Sequence, residues 1–476
     1  IDTTIVVWVN PTPAIRVVTE DSVLCNGEPA EIKIRNPNRF LAGDWEYNLL
    51  VTPDDPAMIT GYRASQNNLT DTLLVDPLVN LDTIVHKVEY RFTPLKTPDP
   101  ELVCGGGNDT TIVIWVNPTP EIRVNVSDTM LCDGDILDVQ ARNPNTILRG
   151  TWDATMEVQV DPGITGITAG IYPYNGDFTE NYTLNNSDPV ARSVTFIFHP
   201  SITGDDLDGP CNNGIDTTIV VWVNPVPDIG VTATDTLLCN NEVAEFQVDV
   251  LNTFVQGEWL YDLDVEADPE ITGARADGVY TTDSILIQDR LFNTDTAARK
   301  VTYHFIPRID PADGGADCGN GRDTLITIWV NPSPRILIDF SDTIFCSNET
   351  VSIQVDDGLG AIFGNTEYIL TAIYNTSDIS SITRNSNDPQ TYTPGAPIND
   401  VFENLTQEAQ PVFYLFTPRL IPSDGGPDCP NAQDIVIRIW INPTPTLDVE
   451  VPDAIICDTE IFEINISTPN TNLIDA

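Results

Sequence analysis

The chain has 476 residues, with 22 Lys and Arg against 71 Asp and Glu, a formal net charge of -49 and three histidines. Such a charge repels phosphate backbones and anionic lipid, which excludes nucleic-acid binding, while 41% hydrophobic residues is enough to pack about three domains of ~150 residues rather than leave a disordered acidic chain. No apolar run reaches the ~20 residues of a membrane span, the N-terminus lacks the order of a signal peptide, and a start inside a strand-like run at Ile1 with an unpunctuated stop at Ala476 is expected of a piece of a longer protein.

The chain is internally repetitive. The run Ile5-Val-Val-Trp-Val-Asn-Pro-Thr-Pro13 returns at 112–120, 219–227, 326–334 and 437–445, and its tryptophans Trp8, Trp115, Trp222, Trp329 and Trp440 are spaced by 107, 107, 107 and 111 residues. That period exceeds a solenoid repeat and suits one self-contained sandwich domain. Within a repeat the apolar runs are short, rich in Val, Ile, Thr and Tyr, and broken by Asn, Asp, Gly and Pro, with no 3.6-residue period, so the expected fold is all-β.

In chain order the first repeat predicts strands at 14–19 with 23–25, then 30–35, 44–51, 59–64, 72–75, 85–93 and 109–117. Seven strands at this spacing suit an immunoglobulin-like or PKD-like sandwich. Trp45, Tyr47 and Leu49 alternate with Glu46 and Asn48, and Trp152 and Trp259 repeat the position, so this tryptophan should face the core, with Tyr368 substituting nearby in the fourth repeat. Each Asn-Pro-x-Pro step ends a strand and stiffens the chain. The boundaries fall there, giving a terminal strand of a preceding repeat (1–10), repeats at 11–117, 118–224, 225–331 and 332–442, and a partial fifth at 443–476.

Four signatures recur in order: Leu-Cys-Asn-Gly-Glu at 24–28, Val-Glu-Tyr-Arg-Phe-Thr-Pro at 88–94, Cys-Gly-Gly at 104–106 and Val-Asn-Pro-Thr-Pro at 116–120. With them the whole chain resembles the PKD-like repeats of giant Bacteroidota cell-surface proteins, among them gliding-motility adhesins and other type IX secretion cargo. The resemblance implies tandem Ig-like sandwiches, an extracellular cell-surface location and a part in adhesion. The acidic loops depart from the family, whose repeats usually carry fewer acidic residues.

Catalytic chemistry finds little support. His86, His199 and His304 fall at non-equivalent positions, and no phosphate loop, nucleophile elbow or metalloprotease signature occurs, so no enzyme is expected. Acidic residues cluster in the loop before the closing strand: Asp205, Asp206 and Asp208, then Asp310, Asp313 and Asp317, then Asp424 and Asp428. Flexible carboxylate loops suit calcium, and Asp-x-Asp-Gly at 206–209 is a fragment of such a loop. A solvated acidic surface that keeps a long polymer soluble accounts for the same residues, and both readings stand; no cofactor is required.

One face of the closing strand is aliphatic in every copy, which puts its tryptophan on the less buried face. There it packs under the linker or the neighbouring repeat, or else forms a ledge for surface polysaccharide or for lateral contacts between filaments. Ser22, Thr72, Thr83, Thr129, Thr236, Ser284, Thr296, Thr324 and Thr343 each follow an Asp and precede an apolar residue. This resembles the acceptor motif of Bacteroidota O-glycosylation, while the turn preceding a strand favours the same residues.

The nine cysteines recur as Cys25/Cys104, Cys132/Cys211, Cys239/Cys318 and Cys346/Cys429, with Cys457 in the partial repeat. Such regularity without a Cys-x-x-Cys motif implies disulfides in an oxidising compartment. Within one Ig-like sandwich the two positions lie at opposite ends of strands ~25–30 Å long, whereas a disulfide needs Cα atoms within about 7 Å. The expected pairs therefore cross between repeats, Cys25–Cys211, Cys132–Cys318 and Cys239–Cys429, with closure inside a repeat as the alternative. The expected role is a rod-like stalk whose partners are its own neighbouring repeats. The competing role is a carbohydrate-binding array on a secreted polysaccharide-degrading protein.

Overall fold

The computed structural model describes residues 3–39, 42–99, 102–204, 207–281, 286–430 and 432–475. Every regular element among them is a β-strand. By contacts the chain divides into two compact units, one of 1–227 with 252–258 and 309–320, the other of 228–251 with 259–308 and 321–476.

The first repeat defines the sandwich. Its strands are β1 (Arg16–Thr19), β2 (Val23–Leu24), β3 (Pro29–Arg35), β4 (Asp44–Pro53), β5 (Ile59–Thr60), β6 (Gln66–Leu69), β7 (Leu73–Pro77), β8 (Val79–Asn80), β9 (His86–Asp99), β10 (Leu102–Cys104) and β11 (Thr110–Val116). One sheet has the order β1-β3-β7 and the other β2-β11-β9-β4-β6, with β10 on β9 and a small β5-β8 pair. All pairings are antiparallel except β2 with β11, where Val23 and Leu24 lie beside Trp115 and Val116 in parallel. That swap of the opening strand onto the second sheet is the immunoglobulin-like arrangement.

The pattern returns in each full repeat. In the second, Arg123–Val126, Ile136–Arg142 and Phe178–Thr183 face Met130–Leu131, Thr217–Val223, Arg192–Thr203, Thr151–Val160 and Gly170–Asn175. The third and fourth repeats keep the five-stranded order, each with its short strand (Leu237–Leu238, Ile344–Cys346) parallel to the end of the closing strand. In the partial repeat Asp448–Glu450 pairs with Asn465–Ser467.

Period-two burial builds the cores. In β3, Ala30, Ile32 and Ile34 point inward and Glu31 outward, and they meet Tyr47, Leu49, Tyr90, Phe92, Ile114 and Val116 from the facing sheet. Trp152 and Trp259 are buried as expected, whereas Trp45 is half-buried. The fourth repeat has Thr366 at that position, and Tyr368 matches Tyr47 and Tyr261 instead.

β6, β8 and β10 are additional to the predicted strands, and β5 is shorter than expected. The predicted strand 59–64 stops at Thr60 because Gly61 has φ 84°, and a Cβ there would lie 1.8 Å from the Pro77 carbonyl oxygen. The chain then forms β6, an edge strand on β4. Its sequence, Gln-Asn-Asn-Leu, carries no alternating apolar signal.

Three cores contain the same polar group. Tyr90 donates to Asp76 Oδ2 (2.7 Å) and Arg63 Nε to Asp76 Oδ1 (2.8 Å). Tyr303, Asp289 and Arg275 repeat this at 2.9 and 2.9 Å, and Tyr414, Asp400 and Arg384 at 2.8 and 2.8 Å. Burial, together with the carboxylate, drives the three phenols far above their usual range. In the second repeat Phe196 takes the tyrosine position and Tyr182 the aspartate position, so hydroxyl and carboxylate vanish together. A buried carboxylate is tolerated only with its partners. Asp400→Ala should therefore strand Arg384 and Tyr414, cost ~3–5 kcal/mol and lower the calorimetric transition of that sandwich by more than ~10 °C. A shift below ~2 °C would contradict this account.

Candidate functional site: the inter-repeat junctions

The Asn of each Asn-Pro-x-Pro step makes the first contact across a junction. Asn117 Nδ2 donates to Arg149 O (2.9 Å) and its Oδ1 accepts from Arg149 N (2.9 Å). Asn224 holds Gln256 in the same way (3.1 and 2.7 Å), Asn331 holds Phe363 (3.0 and 3.0 Å), Asn442 holds Ile474 (2.9 and 3.1 Å) and Asn10 holds Ala42 (3.1 and 2.9 Å). A primary amide carries both N–H donors and a carbonyl acceptor, so with one N–H and its oxygen the side chain pairs with the next repeat's backbone as a peptide group would. Asn117, Asn224 and Asn331 are fully buried, where an unpaired amide would be costly.

A second asparagine supports the first. Asn80 Nδ2 donates to Ile84 O (2.8 Å) and to Val116 O (2.9 Å), the carbonyl just before Asn117. Asn186, Asn293 and Asn404 repeat both bonds. The loop so fixed pairs with the next repeat through backbone bonds: Val85 N to Ile147 O, Ala191 N to Phe254 O and Ala298 N to Ala361 O, each 2.8 Å.

Three closing-strand tryptophans add aromatic contacts at the same junctions. Trp115 is half-buried, with the Arg149 guanidinium 4.0 Å from its ring centroid; Trp222 packs on Phe254 (5.9 Å) and Trp329 on Phe363 (4.9 Å). Trp8 is exposed. At Trp115, Trp222 and Trp329 the ring meets a side chain of the following repeat.

The cysteines make the third contact. Because β2 runs parallel to the end of β11, Cys25 emerges where the chain leaves the first repeat. Cys211 sits at the opposite pole of the second, beside Ile202 in the loop before the closing strand. A seven-residue closing strand separates the two poles by ~23 Å. The structure joins Cys25 to Cys211, Cys132 to Cys318 and Cys239 to Cys429, with Cα separations of 5.3, 5.3 and 5.2 Å. Beside the first two staples, Asn213 Nδ2 donates to Asn26 O (2.8 Å) and Asn320 Nδ2 to Asp133 O (3.2 Å). Cys104, Cys346 and Cys457 are unpaired.

Asp205 and Asp206 lie outside the described residues; among the described ones no three His, Cys, Asp or Glu side chains converge to hold an ion. Asp208, Asp313, Asp317, Asp424 and Asp428 are exposed and Asp310 is half-buried. Asp313 and Asp424 accept from the backbone of Gly315 and Gly426 in their own turns, and Asp428 pairs with Arg419. Asp313 also faces Asp128; burial first, then that carboxylate, raises its pKa above the ordinary value.

The Asp-Ser/Thr motif has a local role. Asp128 Oδ1 accepts from Thr129 N (2.6 Å) and Met130 N (3.1 Å), and Asp342 Oδ1 from Thr343 N and Ile344 N (2.7 and 3.0 Å), which closes the turn before the short parallel strand. Ser22, Thr72, Thr83, Thr129, Thr236, Thr296 and Thr343 are exposed, Thr324 is half-buried, and Ser284 lies outside the described residues. The histidines pair with carboxylates: His86 with Asp54 and Asp82 (3.1 Å each), His199 with Asp216 (2.8 Å) and His304 with Asp323 (3.0 Å). For His86 burial works against the charge, but Asp82 and Asp54 outweigh it and hold the pKa above the ordinary value.

No protein-family model and no curated protein matches the chain. Solved structures similar to it include an ICAM-5 D1–D4 ectodomain fragment (12% identity, TM-score 0.33, covering 90% of this chain and 100% of that one). They also include FdeC, an Escherichia coli adhesin (13%, TM-score 0.25, 67% and 99%), and the FN1–FN3 domains of chicken CNTN1 (9%, TM-score 0.22, 67% and 98%). At these values the likeness says nothing of what this chain binds.

Replacing Asn224 by Ala should leave the Gln256 N–H and C=O without their partner, cost ~1–3 kcal/mol and speed amide exchange at Gln256 well before the sandwich cores. Exchange at Gln256 unchanged from the parent would show that the clamp holds nothing.

Proposed function

We propose that this chain is a length of stalk from a secreted cell-surface adhesin of the kind its repeats resemble, a giant Bacteroidota protein of the gliding-motility type exported by type IX secretion. The observation that carries the reading is the junction: the same asparagine clamp occurs at each Asn-Pro-x-Pro step, and three disulfides add a covalent bond between repeats. Invention concentrated at the joints, with sandwiches otherwise repeated, suits a part whose task is to hold distance and direction. The disulfides support an extracellular setting. O-glycans at the exposed Ser and Thr positions and calcium on the acidic loops belong to the same proposal.

The carbohydrate-binding reading needs free aromatic faces, and three of the closing-strand tryptophans already pack on the following repeat. Small-angle scattering tests the stalk. Repeats placed end to end should give a radius of gyration above ~35 Å, against ~23 Å for a compact globule of this length. A value near the compact figure, or glycan-array binding by the repeats at better than ~1 mM, would contradict the proposal.

A further inference from the structure

The disulfides interleave. Cys132 lies inside the loop closed by Cys25 and Cys211, while its partner Cys318 lies beyond that loop. Cys239 follows Cys211 by about 28 residues and opens the third staple to Cys429. The unpaired cysteines keep the same interval: Cys104 stands about 28 residues before Cys132, Cys346 about 28 after Cys318 and Cys457 about 28 after Cys429. All nine cysteines thus fall on two covalent routes that leapfrog one another, one through Cys25, Cys211, Cys239, Cys429 and Cys457, the other through Cys104, Cys132, Cys318 and Cys346.

Very little of each sandwich lies on a route. The stretch 211–239 holds the closing strand Thr217–Val223, the clamp residue Asn224 and the opening strands Ile229–Ala233 and Leu237–Leu238. The long central strands Thr151–Val160 and Arg192–Thr203, which supply much of the second core, are bypassed.

We propose that the interleaved staples are a strain limiter: tension along the chain runs through the short covalent routes, so unfolding the sandwiches cannot lengthen the oxidised protein beyond the extended length of those routes. From end to end the shortest route has about 25 residues before the first staple, about 28 between the first and third, and about 47 after the third. Roughly 100 residues at ~3.5 Å each extend to ~350 Å, against ~1,700 Å for the reduced chain of 476. The limiter deepens the stalk reading, and the two fail separately. A glycan-binding array with the same staples would meet the same limit, while a stalk with other pairings would be long in solution yet extend further under load.

The test is single-molecule pulling of the oxidised chain through peptide tags at both ends, with and without reductant. The expected limit is ~350 Å oxidised, rising about fivefold on reduction. Pairing within repeats would instead leave about 155 residues on the route, and an oxidised limit near ~540 Å would overturn the proposal. The routes also predict an asymmetry between variants. Replacing Cys239 and Cys429 by Ser should lengthen the limiting route to about 290 residues, whereas replacing Cys132 and Cys318 should leave it at about 100. Equal effects of the two pairs would also overturn it. The parent measurement needs no substitution, so it decides even where a variant fails to fold.

Discussion

The closing strand of each repeat holds its two cysteines apart. One cysteine follows the short strand that runs parallel to the end of the closing strand, and the other precedes its beginning, so ~23 Å of extended backbone lies between them. No side-chain rotation spans that distance. At Cys25, Cys132 and Cys239 the cysteine within reach is the one that the next repeat carries at its entry pole, and the disulfides become bonds between repeats as a result.

The same geometry explains the density of polar contacts at the joint. A disulfide alone leaves two bodies free to pivot about one point. At the first junction the clamp Asn117, the backbone bond from Val85 to Ile147 and the Cys25–Cys211 staple attach at separate places. Contacts at several separated points oppose rotation as well as separation. At Trp115 and Trp222 the ring adds a further contact, with Arg149 and Phe254 of the following repeat.

Much of this was legible in the sequence. The period and the sandwich class follow from strand-and-turn chemistry repeated at a fixed interval, and the inter-repeat cysteine pairs follow from topology with the length of a strand. The edge strand Gln66–Leu69 was not legible, because an exposed polar edge carries no apolar alternation. Nor was the clamp. Asn before Pro-x-Pro reads as an ordinary strand terminator, and its second partner lies 32 residues on in a loop without a motif of its own. Its one signal was identity in five copies at a position where Asp or Ser would also end a strand. The Tyr-Asp-Arg group escaped notice because its members are scattered along the repeat and only the fold brings them together.

The claim on which the account rests is the connectivity between repeats. A peptide map of the oxidised protein under non-reducing conditions, with free thiols blocked before digestion, reads it directly. The account predicts a peptide joining Cys132 to Cys318, with Cys104, Cys346 and Cys457 recovered as blocked thiols in the isolated chain. A peptide joining Cys132 to Cys211 would place the bonds inside the repeats and contradict it.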